Sequence, residues 1–182
     1  MKTRNLTLAL ALLSVACMTT SRTDLVITKV IEAAANGSAC TFETSTNELT
    51  YSTLNPTTNF GLVGAVVENH ISDPSAMNPI LRTNSAYFQP ETLVADYEVI
   101  GGGATIARQA IPVSGVVVPA GGEGTIGGPM LPGALVAAIP SGTFIRVSFH
   151  IEGRLYDGSR VKTNVRDYMF RICSTCTTNT CL

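Results

Sequence analysis

The chain has 182 residues, with 12 Lys and Arg against 13 Asp and Glu and a formal charge of −1. Charged residues make up 14% and hydrophobic residues 45%, which excludes a disordered polyelectrolyte and leaves no basic excess for generic nucleic-acid binding. The length suits one domain with enough interior to fold without a metal or a partner.

The first segment, Met1-Lys2-Thr3-Arg4-Asn5, is basic, and an uncharged apolar run follows from Leu6 to Ala16. That order is an export leader, and residues 1–16 are read as a signal peptide. The run is too short for the roughly 20 helical residues that cross a hydrocarbon core, so it is read as cleavable and not as an anchor. Ala16 directly before Cys17 resembles the lipobox of bacterial lipoproteins, in which the cysteine sulfur takes diacylglycerol and becomes the new N-terminus. The third residue before the cysteine is Ser14, where that pattern usually has Leu. The rival cut is by ordinary signal peptidase near Ser14-Val15-Ala16. Residues 17–23 then form the lipidated N-terminus and a short tether, and residues 24–182 a single domain. Without Lys2 and Arg4 the remainder carries ten basic and thirteen acidic residues, a charge of −3.

Apolar alternation and frequent breakers, 16 Gly and 9 Pro, characterise the rest. Leu25 to Ala33 reads as a first strand with Val26, Thr28 and Val30 on one face, and Asn36-Gly37 turns the chain. Short strands follow around Cys40 to Phe42 and Leu49 to Tyr51, then a Val-rich, buried one from Gly61 to Ile71. Pro74 and Pro79 mark a polar loop. Thr92 to Ile100 alternates Leu93, Ala95, Tyr97 and Val99 against Asp96 and Glu98, and Gly101-Gly102-Gly103 supplies a bend. Ile111 to Val118 continues the pattern. The Gly-rich stretch Pro119 to Gly142 contains Met130 and Leu131, an apolar tip for a partner if it stands out; Ala134 to Ile139 is otherwise another strand. Phe144 to Ile151 alternates most strictly. Asp157-Gly158 signals a two-residue type I′ hairpin. In the return strand the apolar parity switches between Val165 and Tyr168, which predicts a bulge or change of face near Arg166-Asp167. About eight short strands without a βαβ rhythm predict an all-β fold, an antiparallel two-sheet β-sandwich of immunoglobulin-like topology.

With Cys17 consumed by lipid, Cys40, Cys173, Cys176 and Cys181 are even in number and can pair as two disulfides in an oxidising compartment. Three pairings are open; the expected one joins Cys40 to the C-terminal cluster and closes a second bond within it. The long loop so closed removes about 4–5 kcal/mol of unfolded-state entropy in the chain-entropy model. Cys173-Ser174-Thr175-Cys176 has redox spacing but ends a strand, with no helix to lower a thiol pKa, and a Cys₄ zinc site suits the oxidising address poorly. No cofactor is expected. Ser148, His150 and Glu152 bring a hydroxyl, a base and an acid side by side on one strand face, which reads as a solvent-facing row and not as a triad. The basic residues Arg146, Arg154, Arg160 and Lys162 concentrate in the terminal hairpin, where they either meet an acidic partner or glycan or simply protect an exposed edge.

The leader, the Gly- and Pro-punctuated strands and the ending Phe170-Arg171-Ile172-Cys173-Ser174-Thr175-Cys176 together resemble outer-membrane lipoproteins of proteobacteria, the myxobacterial kind especially. That resemblance implies outer-membrane sorting, since Met18 and not Asp follows the cysteine, and carries no catalytic residue across. The expected function is a non-enzymatic, lipid-anchored binding or structural module for another envelope protein or a surface glycan. The competing expectations are an envelope hydrolase or thiol-redox enzyme, and a carbohydrate-binding module using Tyr51, Tyr87, Phe88 or Tyr156.

Overall fold

A computed structural model describes residues 24–36, 39–42, 51–56, 61–72, 85–102 and 104–173. The strands are β1 (Leu25–Glu32), β2 (Ala34–Asn36), β3 (Ala39–Thr41), β4 (Tyr51–Leu54), β5 (Leu62–Asn69), β6 (Phe88–Ile100), β7 (Gln109–Pro112), β8 (Ser114–Gly115), β9 (Glu123–Pro129), β10 (Phe144–Leu155), β11 (Arg160–Lys162) and β12 (Arg166–Ile172). One sheet has the order β1-β5-β9-β8, the other β4-β12-β10-β6-β7 with β11 also on β10, and β2 and β3 form a separate hairpin. Every pairing is antiparallel except β4 with β12. The fold is all-β, with two sheets sharing one core.

Period-2 patterning builds that core. On β10, Ile145, Val147, Phe149 and Ile151 are buried while Arg146, Glu152 and Arg154 are exposed. Leu93 and Ala95 of β6 and Phe170 and Ile172 of β12 extend the same inner surface, against Val63, Ala65, Val67 and Ile126 of the other sheet. Each such aliphatic or Phe side chain contributes roughly 1.5–3 kcal/mol by leaving water. The predicted run from Ile111 to Val118 divides into β7 and β8, with Val113 carrying the chain from one sheet to the other.

Met130 and Leu131 overturn the expectation of an exposed apolar tip, being 1% and 0% accessible. Met130 N donates to Gly61 O at 3.1 Å and Tyr97 Oη donates to Met130 O at 2.9 Å, which turns the segment inward. Burial, reinforced by the charge of Asp96, raises the Tyr97 phenol to about 12, so it remains a donor. The expected strand from Ala134 to Ile139 is instead a single helical turn, α1 (Gly133–Val136), whose Val136 plugs the open end of the sandwich together with Ile139.

Much of the Gly-rich stretch is not loop either. Gly127 of β9 lies opposite Gly64 of β5, and together they form a slot in the outer face that the Phe42 ring fills. A Cβ on Gly64 would come within 2.7 Å of that ring, and one on Gly127 would collide with it.

Two irregularities interrupt the strand patterns, and the second bonds one sheet to the other. The register of β1 slips between Ile27 and Lys29, so Leu25 and Ile27 face the core before the slip and Val30 after it, not the expected Val26, Thr28 and Val30 set. The parity switch predicted near Arg166 is produced by a break over 163–165 that separates β11 from β12. There Thr163 exchanges bonds with Ile151, donating from its N and accepting at Oγ1, both at 3.0 Å. Asn164 Oδ1 accepts from Ile27 N at 2.6 Å and its own N donates to Leu25 O at 3.2 Å. Val165, expected inside, is left exposed.

The hairpin also differs from its predicted type. Only Gly158 has positive φ, 89°, and the bonds Gly158 N to Leu155 O and Leu155 N to Ser159 O define a three-residue loop ending in a left-handed glycine. Asp157 accepts from Ser159 N at 2.8 Å, a bond that holds its carboxyl below the usual range.

Candidate functional site

The outer face of the larger sheet gathers most of the chemistry. Along β10, Arg146, Ser148, His150, Glu152 and Arg154 point away from the core because alternate residues share a face. Strand β6 opposes them with Glu98, Asp96, Val94 and Thr92, and β11 places Lys162 beside Glu152 and Arg160 beside Arg154.

A register slip shapes one end of this face. Glu152 pairs with Thr92 but Gly153 pairs with Pro90, so Glu91 is the extra residue of a bulge and its carboxylate is turned to meet Arg154, Oε1 to Nε 3.0 Å. Gly153 is required there. A Cβ on it would run into Gln89 O and come within 2.7 Å of the Phe88 ring and 2.9 Å of Pro90 Cα. The result is a groove of about 540 Å³ lined by Glu91, Thr92, Glu152, Gly153, Arg160, Val161 and Lys162.

The four basic residues singled out in the sequence therefore share one face but differ in state. Arg146 Nη1 pairs with Glu98 Oε2 at 2.9 Å and Arg154 with Glu91, whereas no carboxylate among the described residues lies in salt-bridge reach of Arg160 or Lys162. The two formed pairs are half-exposed and each contribute at most about 1 kcal/mol, so they orient side chains more than they stabilise the fold. Met130 and Leu131, the other expected partner residues, lie in the core and belong to no surface.

His150 is not part of a solvent-facing row. Its side chain is 11% exposed, covered beside the buried Val94, with Nε2 hydrogen-bonded to Glu152 Oε1 at 3.1 Å. Ser148 turns the other way, its hydroxyl donating to Asp167 Oδ1 at 2.6 Å across β12. The serine, histidine and acid are thus adjacent on the strand without forming a relay.

Of the aromatic candidates, Phe88 is fully buried. Tyr87 and Tyr156, distant in sequence, are brought together with ring centroids 5.7 Å apart and planes at 41°, while Tyr51 stacks edge-on against Phe144 at 6.3 Å. Glu91 was not identified from sequence, and Tyr87 and Tyr156 stood out there only singly, not as a pair. Gly153 inside an otherwise strict alternation was the available signal for the bulge.

Against known proteins, the chain matches no family model, no curated protein and no solved structure. The site must be read from its own chemistry.

Away from the face, a polar pair is enclosed at the sandwich edge. Ser52 Oγ and Tyr168 Oη share a 2.6 Å hydrogen bond, and burial, outweighing that bond and aided by the charge of Glu32, raises the Tyr168 phenol to about 12. The slip in β1 puts Glu32 on the inward side, where desolvation raises its carboxyl pKa.

The cysteines are placed only in part. Cys17, Cys176 and Cys181 lie outside the described residues. Cys40 pairs with Ala35 in the β2–β3 ladder, and Cys173 follows β12 with its N donating to Leu54 O at 2.9 Å. No helix among the described residues is long and apolar enough to cross a membrane.

Proposed function

We infer that the protein is an exported, lipid-anchored module of the bacterial outer membrane that binds another envelope component, non-enzymatically, through the outer face of its larger sheet. The observation that carries this reading is the groove beside β11, where two exposed cations stand without a carboxylate partner among the described residues, beside a bulge that aims Glu91 at the same space. Uncommitted charge on a rigid strand face serves recognition better than stability. The leader ending at Cys17 supports the address, with the short tether of residues 17–23 holding the domain near the membrane.

An immunoglobulin-like topology belongs to the same reading. Its support is the strand order. Sheet β1-β5-β9-β8 follows the A-B-E-D arrangement, and β12-β10-β6-β7 follows G-F-C-C′ with β4 running parallel beside β12. The contact surface is then the outer side of the G-F-C sheet. Two disulfides among Cys40, Cys173, Cys176 and Cys181 complete the proposal, tying the β2–β3 hairpin to the end of β12.

The test is co-purification from detergent-solubilised envelopes with the natural protein and with Arg160→Glu/Lys162→Glu. A companion retained by the first and lost by the second is expected; equal recovery, or none from either, refutes the surface. Mass spectrometry of the mature N-terminus checks the anchor. A diacylglyceryl Cys17 is expected, and an unmodified N-terminus retaining Cys17 refutes it.

A further inference from the structure

The groove has a more specific chemistry at its outer end. Two residues beyond the Arg154–Gln89 pair, Tyr156 N donates to Tyr87 O at 3.1 Å, and the two rings sit at the mouth of the β10–β11 turn with Tyr156 53% exposed. Strand alternation returns Tyr87 to the side that carries Gln89, so the tyrosine pair lies on the same outer face, one step along the strands from Arg154 and beyond the residues that line the groove.

The polar groups are of two kinds. Arg160 and Lys162, two residues apart on β11, project to one side at a spacing of roughly 6–7 Å and ask for anions. Glu91 and Glu152 each give one carboxylate oxygen to Arg154 or His150, so their second oxygens remain to accept hydrogen bonds, and Thr92 adds a hydroxyl. A ligand that satisfies both sets carries anionic groups and a row of hydroxyl donors, and presents an apolar C–H face to the tyrosine rings.

We propose that this groove binds a carboxylate-bearing oligosaccharide, a uronic-acid polymer of the cell surface. The Arg160 guanidinium takes one carboxylate with two parallel N–H bonds, Lys162 meets the next, the glutamates accept ring hydroxyls, and Tyr156 stacks on a pyranose. An acidic peptide fits less well. It satisfies the cations and has backbone N–H donors for the glutamates, but it presents no pyranose face to the Tyr156 ring. The assignment rests on the binding-module reading and specifies its ligand.

The test is calorimetric titration of the purified protein at low salt with a short oligogalacturonate, with its methyl ester and with poly-L-glutamate of equal charge. The oligogalacturonate is expected to bind at least about tenfold more tightly than either control, and Arg160→Gln/Lys162→Gln to weaken it by at least about tenfold. Tyr156→Ala, which removes one exposed ring, is expected to weaken binding about fivefold with an unchanged thermal midpoint. Absence of oligogalacturonate binding, equal binding of poly-L-glutamate, or indifference to all three substitutions overturns the saccharide assignment. If binding is absent while co-purification from envelopes still depends on Arg160 and Lys162, the module reading stands and its ligand is a protein; if both fail, both fall.

Discussion

Asn69 is a buried polar residue that ties three chain segments together. It is 1% accessible, and its side chain closes three bonds: Nδ2 donates to Ala86 O at 2.8 Å and Val118 O at 3.2 Å, and Oδ1 accepts from Ile71 N at 3.0 Å. In Asn69→Ala these three partners fare differently. Val118 O keeps the Phe88 N at 2.9 Å, half-buried Ile71 N turns to water, and Ala86 O is left without a donor. One full desolvation penalty of about 1–3 kcal/mol, part of a second, and the lost packing predict destabilisation of about 3 kcal/mol. For a domain of this size that lowers the thermal midpoint by about 6–12 °C. Urea unfolding with an unchanged m-value is the assay. Asn69→Asp sharpens the test, because it keeps the acceptor for Ile71 but aims a second oxygen at two carbonyls. Its folded-state pKa is thereby raised, so stability is higher below the unfolded pKa and falls as pH rises through the folded one. An Asn69→Ala protein within about 0.5 kcal/mol of the parent, or an Asn69→Asp protein whose loss is independent of pH, refutes the reasoning.

Three further outcomes follow from the same structure. Gly153→Ala drives a Cβ into backbone atoms of Gln89 and Pro90 that cannot yield cheaply, and is expected to destabilise by about 1–3 kcal/mol in urea and to weaken any ligand of the groove as Glu91 is displaced. The raised pKa of Glu32 means the folded state holds its proton more tightly than the unfolded chain, so this group favours folding at low pH and opposes it as pH rises past the ordinary carboxylate range. Glu32→Gln should therefore gain stability over the parent progressively from pH 4 to pH 7, and a pH-independent difference in urea midpoint would count against it. Tyr168→Phe leaves Ser52 Oγ without its 2.6 Å partner and is expected to lower stability by about 1 kcal/mol, whereas Ser52→Ala/Tyr168→Phe should recover part of that loss in a double-mutant cycle.

The strand faces that alternate against a single partner surface were legible. Ile145, Val147, Phe149 and Ile151 face the core as their spacing predicted, as do Leu93 and Ala95, while Arg146, Asp96 and Glu98 face water; His150 and Val94, on the outer side, are covered. Reading failed wherever another element covers the outer face. Gly127 looks like a loop residue and Gly64 like an ordinary strand position until Phe42, far from either in sequence, is seen to fill the slot they leave. Met130 and Leu131 look like a tip because composition does not record that α1 folds them over the end of the core. The groove was half visible: Arg154, Arg160 and Lys162 stood out as charge, but Glu91 and the Tyr87–Tyr156 pair arise from register, which a single strand's pattern cannot carry.

The same long-range register sets where Arg160 and Lys162 stand. Strand β11 has three residues and pairs with β10 only at Glu152, Gly153 and Arg154, too short a ladder to fix its own position. What holds it is the break that follows. Thr163 clips to Ile151, and Asn164 reaches the other sheet at the outer edge of β1, where Leu25 O and Ile27 N point away from β5. The edge of β1 therefore provides the donor and acceptor that anchor Asn164, Asn164 fixes the end of β11, and β11 holds Arg160 and Lys162 opposite Arg154 and Glu152. A face that looks like an isolated charged hairpin is positioned from the opposite side of the sandwich, so a substitution at Asn164 should loosen the groove although it contacts nothing in it.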